Sequence, residues 1–181
     1  STWGAPHHQR APSAATETRV TRTVTQTENG KAVTREVEEI ITNSLPLEQS
    51  RVTLDLDLEH RQKGLRWYAT YGVGFAGTFR FRNTTPYDSV TLTFPFPTTQ
   101  ALYDDLLLTV NGEPLAITMT DGAATGRVHL PTGATAELAV RYESRGLSDW
   151  RYDFGEEVSQ VRDFLLTMRT DFDDIDFPEE T

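Results

Sequence analysis

The sequence predicts an all-β fold, an antiparallel two-sheet sandwich with an N-terminal β-hairpin. Apolar and polar residues alternate along several stretches, which is the two-residue period of a half-buried strand. Asn-Gly and Asp-Gly pairs, which favour tight hairpin turns, separate several of these stretches. The longest alternating stretch, 65–82, places its aromatic residues mainly on one face. That face is predicted to line the core.

Composition narrows the class of protein. The chain has 181 residues, which suits one domain, and we predict a flexible arm over residues 1–15 and a single β-sandwich domain over residues 16–181. The net charge of -10 opposes binding to nucleic acid and to anionic membrane surfaces, because both require a positive field. The absence of cysteine from the sequence excludes disulfides and thiolate metal sites.

The first element of the predicted domain is a hairpin over residues 16–42. Asn29 and Gly30 lie between two runs rich in Thr and Val, and an Asn-Gly pair in such a position is a strong hairpin signal. Charged residues fall on both faces, so the hairpin is predicted to be an edge ribbon or a crossing between sheets. A helix over residues 36–41 is the alternative, and the β-branched content favours a strand. Residues 43–50 are predicted to be a connector.

A half-buried strand is predicted over residues 52–58, because its leucines and valine alternate with polar residues. Asp55, Asp57 and Glu59 share the outer face of this strand. A row of acids on a strand is usually a solvated face. A calcium site is the alternative, and it requires oxygen ligands from a second segment.

The strand over residues 65–82 is the centre of the predicted fold. Its second face is small in the middle, at Gly72, Gly74 and Ala76. We predict that another backbone or a bulky side chain packs directly over this bare face. Together with Gly77 these glycines match a dinucleotide-binding spacing. That motif opens a helix, whereas the period of two continues through this stretch, so nucleotide binding is not predicted.

The elements predicted for the second half of the chain are a strand over 90–96, a helical turn over 98–105, an antiparallel meander over 106–143 and a last strand over 161–172. Pro95 and Pro97 predict that the first of these strands lies at a sheet edge or ends there, since proline donates no ladder hydrogen bond. Regularly spaced turn signals predict the meander.

Three aromatic residues form the predicted ligand-binding set: Tyr68, Trp150 and Tyr152. Tyr68 falls on the opposite parity from the core aromatics of its strand, and exposed rings are surfaces on which sugars or peptides stack. Packing between the sheets is the alternative for Trp150 and Tyr152. The sequence thus predicts a binding patch whose rings come from two distant segments.

The acidic end of the chain is a second candidate metal site. Asp171, Asp173 and Asp176 resemble the beginning of a calcium loop, but the glycine and the later acid that such a loop requires are missing. A solvated tail is therefore predicted, with no metal and no cofactor.

No sequence motif of a serine hydrolase, a zinc peptidase or a phosphate-binding loop occurs in the chain. The sequence therefore predicts that the protein is not an enzyme. A hydrolase with paired carboxylates among Asp55, Asp57, Asp153 and the terminal acids is the enzymatic alternative, because two facing carboxyls suffice for glycoside hydrolysis.

The segment 59–65, EHRQKGL, is a basic turn that ends in glycine and leads into an aromatic strand. With the β run that follows, it resembles the extracytoplasmic domain of CreD-type bacterial inner-membrane proteins. The resemblance covers residues 50–145 at the level of pattern. It implies a β-rich periplasmic region between an N-terminal transmembrane helix and a later membrane bundle, with a non-enzymatic role in membrane integrity or stress tolerance. It carries over no catalytic residues.

We therefore expect a non-enzymatic domain at the periplasmic or extracellular face of a bacterial membrane, with an interaction, sensing or envelope-structural role. The opening Ser-Thr predicts a fragment of a longer protein, attached to the membrane through segments outside residues 1–181. The expected partner is a protein or another envelope component. A carbohydrate- or peptide-binding β-sandwich module is the alternative function.

Overall fold

The computed structural model describes residues 7–97, 103–147, 150–153 and 163–170. All regular structure within these ranges is β-strand. The strands are β1 (His7–Arg10), β2 (Ser13–Glu28), β3 (Lys31–Ser44), β4 (Leu47–Lys63), β5 (Arg66–Arg82), β6 (Ser89–Pro95), β7 (Tyr103–Val110), β8 (Glu113–Pro114), β9 (Ile117–Thr120), β10 (Ala123–His129), β11 (Thr135–Leu147), β12 (Trp150–Asp153) and β13 (Asp163–Thr170). The predicted all-β class is confirmed.

The strands form two large sheets and one small pair. The five-stranded sheet has the order β3-β2-β6-β10-β9, the six-stranded sheet has the order β13-β4-β5-β11-β7-β8, and β1 pairs with β12. Neighbours within the two large sheets are antiparallel except for β4 and β13, and the β1–β12 pair is also parallel. The predicted antiparallel two-sheet sandwich is confirmed, and these parallel pairs are additions to it.

The core lies between the two large sheets and is rich in aromatic rings. Phe75 of β5 and Tyr142 of β11 stack with ring centroids 5.0 Å apart. Phe94 of β6 reaches across from the other sheet, 5.8 Å from the Phe75 ring. Phe79 and Phe81 of β5 are also buried. Burial of such rings stabilises the fold by about 1.5–3 kcal/mol each.

The predicted core face of β5 is confirmed from Val73 to Phe81. Leu65, which was predicted to belong to this face, lies in the turn before β5 and is 98% exposed.

β2 and β3 form a long hairpin whose turn is Asn29-Gly30. These residues have φ values of 51° and 77°, the left-handed conformation that a two-residue hairpin turn requires. The two strands pair without a break along all of β3. β2 pairs with β6 only through residues 13–16, so residues 17–43 extend past the body of the sandwich. We call residues 17–43 the ribbon, and the helical alternative for part of it is wrong.

The structure departs from the predicted flexible arm over residues 1–15. β1 and the start of β2 occupy much of that stretch, while residues 1–6 lie outside the described ranges. Gln9 is fully buried, and its Nε2 donates a hydrogen bond to the carbonyl oxygen of Pro95 at 2.7 Å. This four-residue strand is held by a buried amide and has no alternation of apolar residues. The sequence pattern therefore did not predict it.

β6 lies between β2 and β10, in the middle of the five-stranded sheet. The prolines predicted either an edge position or the end of the strand, and the second is confirmed, because β6 ends at Pro95. Residues 43–50 belong mostly to β3 and β4, and only residues 45–46 connect them. The predicted helical turn falls partly on residues 98–102, which lie outside the described ranges, and β7 begins directly after them.

Residues 106–143 do not form one meander. β7 and β8 belong to the six-stranded sheet, β9 and β10 to the five-stranded sheet, and β11 returns to the six-stranded sheet. The predicted turns are nevertheless confirmed, since Asn111 and Asp121, each followed by glycine, have positive φ values of 50° and 49°. Turn residues mark where strands end, but they do not determine which sheet the next strand joins.

Candidate functional site

A groove crosses the outer face of the six-stranded sheet where β5 carries its small residues. Gly74 of β5 is opposite Asp55 of β4 on one side and Glu143 of β11 on the other. Adjacent strands lie about 4.8 Å apart, which sets these two acidic residues about 10 Å from each other at the backbone. The glycines of β5 therefore form a floor, and β4 and β11 form walls.

Two open depressions make up this groove, with volumes of about 430 and 320 Å³, and they share Gly74. Volumes of this order suit a small ligand or a few residues of a peptide. The charged side chains along the groove are acidic at Asp55, Asp57, Asp105 and Glu143 and basic at Arg141 and Arg145.

Irregular pairing shapes the groove at two places. The register of β11 against β7 shifts between Arg141 and Glu143, opposite Asp105, whose φ is 53°. The register of β11 against β5 shifts between Ser144 and Leu147. An extra residue in one strand bends that strand and re-aims its side chains. The groove therefore lies where the sheet is least regular.

The acidic excess gives the groove a negative field, which favours a cationic ligand. Arg169 of β13 approaches Asp55 from outside the groove, with Nε 3.9 Å from Oδ1. Both side chains are more than half exposed, so this ion pair competes weakly with a ligand. Arg141 and Arg145 are exposed as well, and their guanidiniums present planar sets of donors to carbonyl or carboxylate groups.

The predicted covering of the small face is wrong for Gly74. A Cβ placed there meets Asp55 Cβ at 3.5 Å and Asp55 Oδ2 at 4.0 Å, which is ordinary contact with the neighbouring strand. Gly77 differs, since it faces the core and its added Cβ meets the Phe79 ring at 2.7 Å. The bare face over Gly74 is therefore the floor of an open groove.

The predicted aromatic set is placed only by its backbone. Tyr68 lies in β5 opposite Arg61, and Trp150 and Tyr152 lie in β12, paired with β1. Leu147 is opposite Tyr71, so β12 follows β11 at the same end of the sandwich as Tyr68. The rings themselves lie outside the described side chains, and a shared patch stays a prediction.

Among the described residues, no three His, Asp or Glu side chains lie close enough together to hold a metal ion. Of the three acids of β4 that were the alternative calcium ligands, Asp55 and Asp57 line the groove. The other metal alternative, Asp171, Asp173 and Asp176, lies outside the described residues. Asp153, from the hydrolase alternative, lies in β12 opposite Arg10.

Sequence reasoning missed the second wall of the groove. Arg141, Glu143 and Arg145 alternate along β11 with buried residues, so the pattern predicts only an outward face. The signal that β11 lies beside the glycines of β5 is absent from local sequence, because it depends on pairing across more than sixty residues. Asp105 has no local signal either, since its place in the groove comes from the irregular pairing of β7.

No protein family model, no curated protein and no solved structure matches this chain. The fold and the groove therefore define the class, a β-sandwich domain with an open charged groove. In the described part of the chain, no helix has the length and apolar character that crossing a membrane demands.

Proposed function

We propose that this chain is a non-enzymatic interaction domain at the extracytoplasmic face of a bacterial membrane protein, and that its groove binds an extended basic segment of a partner protein. The observation that carries the proposal is the glycine floor between charged walls. Gly74 leaves room for a backbone to approach the sheet closely. Asp55 and Glu143 stand on either side of it and attract a cationic chain.

A peptide fits the groove better than a carbohydrate does. Sugar sites commonly offer an aromatic ring for stacking. The aromatic residues at this groove, Phe75 and Tyr142, bury their rings in the core, each with only 2% of the residue exposed. The outward side chains of the walls are mainly charged, which suits an extended partner whose basic residues alternate with uncharged ones. The aromatic set Tyr68, Trp150 and Tyr152 remains the basis of the carbohydrate alternative.

The extracytoplasmic setting rests on the resemblance of residues 59–65 and the β run after them to CreD-type domains. In this setting the domain is held to the membrane by segments outside residues 1–181, and its partner is a protein or envelope component. Fusion of alkaline phosphatase after Thr181 in the natural full-length protein tests the setting. Phosphatase activity in intact cells supports it, and an inactive fusion contradicts it.

Binding is tested with a fluorescent peptide of alternating lysine and threonine, and with alternating glutamate and threonine as the control peptide. We expect fluorescence anisotropy to rise with the basic peptide only. Glu143→Lys reverses the charge of one wall and should weaken binding at least about tenfold, equivalent to about 1.4 kcal/mol.

Glu137→Lys is the matched control. Glu137 lies on β11 and faces outward like Glu143, but it lies outside the groove and pairs with Arg80 at 3.6 Å. Equal losses in the two variants would show a general charge effect and contradict a groove site. Binding to a glycan array without peptide binding would favour the carbohydrate alternative. Cleavage of a glycoside that requires Asp55 and Asp57 would contradict a non-enzymatic role.

A further inference from the structure

β3 has one partner among the described strands, which is β2. Its other edge is a run of fourteen residues with no proline. Native proteins usually protect such an edge with a bulge, a proline, a very short strand or charged side chains. Of these devices β3 carries charged side chains, and they are of both signs. The pairing of β2 with β3 is unbroken, so no bulge twists this edge away. The edge is therefore a template for another strand.

The hairpin turn determines which backbone groups point to this edge. Glu28 and Lys31 flank the two-residue turn, and a turn of this kind joins the flanking residues by a hydrogen bond. Hydrogen-bonded pairs alternate along an antiparallel ladder. The odd-numbered residues of β3 thus bond to β2, and the even-numbered residues present their N–H and C=O groups outward.

The side chains of β3 are self-complementary about Val37. In an antiparallel pair of two β3 strands with Val37 opposite Val37, Arg35 is opposite Glu39 and Val33 is opposite Ile41. The Arg35–Glu39 and Val33–Ile41 pairs each occur twice because of the two-fold symmetry, whereas the Val37–Val37 pair lies on the axis and occurs once. The even-numbered residues then face each other, so the free backbone groups of the two edges meet.

We propose that β3 pairs with β3 of a second copy of this chain, antiparallel and about a two-fold axis at Val37, which joins the two five-stranded sheets into one. Val37 and Ile41 are 46% and 44% exposed in the single chain. They lie on the same face of the ribbon as Val20, which is 39% exposed. Pairing brings these side chains from both copies together.

Charge complementarity selects the second copy as the occupant. Within one chain, Arg35 already pairs with Glu28 at 2.9 Å and Glu39 with Arg22 at 3.7 Å, on the same face. The proposed pairing places Arg35 of one copy beside Glu39 of the other. The charges then alternate in sign across the joined sheet, from Glu28 to Arg35 and on to Glu39 and Arg22 of the second copy.

The register is specific. A shift by two residues in either direction places Arg35 opposite Val37 or Ile41, and both opposite-charge pairs are lost. The proposed register also places Glu36 opposite Glu38 on the other face of the sheet, and this like-charge pair occurs twice as well. It is a hydrogen-bonded pair, with Cα atoms about 5.5 Å apart, whereas the two opposite-charge pairs are non-hydrogen-bonded pairs at about 4.5 Å, so the repulsion acts over a longer distance than the attraction.

The test uses two charge-reversal variants, Arg35→Glu and Glu39→Arg, and analytical ultracentrifugation. The unaltered chain should sediment as a dimer. Each variant alone places like charges opposite each other at both sites and should dissociate at least about tenfold more readily. An equal mixture of the two variants forms opposite-charge pairs at both sites, so it should recover the dimer as a heterodimer.

The mixture is its own control, because it contains the same two chains as the separate samples. A monomeric unaltered chain at the highest soluble concentration would overturn the proposal. Dimers that persist in both separate variants would also overturn it, since they would use another surface. Failure of the mixture to recover the dimer would overturn the proposed register.

A cysteine at the two-fold axis gives a second measurement, which is free of native thiols because the chain has no cysteine. Residues opposite each other in a non-hydrogen-bonded pair lie about 4.5 Å apart at Cα, which permits a disulfide. Val37→Cys should therefore form a covalent dimer on mild oxidation. Val20→Cys, on the same face but on β2, is the matched control and should cross-link much less. Equal cross-linking of the two variants would contradict an axis at Val37.

Discussion

Tyr142 of β11 donates a hydrogen bond from its hydroxyl to Oε1 of Gln9 in β1 at 2.7 Å, and both residues are buried. Gln9 in turn donates from Nε2 to the carbonyl oxygen of Pro95 in β6. One side-chain amide thus links an N-terminal strand to both large sheets. Because a buried amide is costly when it loses its partners, this link determines where the N-terminal strand lies.

Tyr142→Phe should destabilise the fold by about 1–3 kcal/mol, because it removes the hydroxyl that donates to a buried oxygen and keeps the ring that stacks on Phe75. Urea denaturation measures the change. The double variant with Gln9→Leu should lose less than the sum of the two single variants, since the buried oxygen is then absent. Additive losses would contradict an energetic link between the two residues.

Replacing a glycine of β5 with alanine should have a different effect on stability on each face of this strand. Gly77→Ala forces a Cβ against the Phe79 ring and should cost about 1–3 kcal/mol. Gly74→Ala places its Cβ at ordinary contact distance from Asp55 and should change stability by less than about 1 kcal/mol. Thermal denaturation of both variants tests the pair. A large loss for Gly74→Ala would mean that something covers the groove floor.

The Arg51 guanidinium lowers the pKa of the Asp163 carboxyl below its ordinary value, first through a direct hydrogen bond and second through its charge. This contact joins β4 to β13. A lowered folded-state pKa means that the stabilisation is complete above the ordinary pKa of about 3.9 and is lost as pH falls through the lowered value.

Arg51→Gln should therefore return the pKa of Asp163 towards its ordinary value. Carboxyl titration by NMR measures this change directly. The unaltered protein should be more stable than the variant at neutral pH, and the difference should vanish at the acid end of the titration. Arg169→Gln, on β13 itself, should leave the pKa of Asp163 where it is. An unchanged pKa in Arg51→Gln would show that the contact is absent in solution.

Asn83, the residue after β5, makes hydrogen bonds through both the nitrogen and the oxygen of its side-chain amide. Its Nδ2 donates to the carbonyl oxygens of Tyr87 and Leu130, and its Oδ1 accepts from Thr85. Asn83→Ala should cost about 2–4 kcal/mol, since several buried groups lose their partner. Asn83→Asp, which keeps the shape but offers no donor, should cost a similar amount. A loss below about 1 kcal/mol in chemical denaturation would contradict this role.

Local sequence predicted the parts of the fold that depend on local physics. The Asn29-Gly30 turn follows from backbone conformation, and the core face of β5 follows from alternation. The central position of β6 in its sheet could not be predicted from local sequence, because Pro95 ends the strand but does not determine which strands pair with it. The groove could not be predicted either, because Glu143 lies beside Gly74 only through the pairing of β11 with β5, which no local sequence pattern indicates.

The most direct test of the proposed function is chemical-shift mapping of the whole chain with the peptide of alternating lysine and threonine. Binding in the groove predicts that the amide signals of Gly72, Gly74 and Glu143 shift together and saturably. Gly74→Leu, which fills the floor, should abolish these shifts while the protein stays folded. Shifts confined to other strands, or unchanged in Gly74→Leu, would contradict a binding site in the groove.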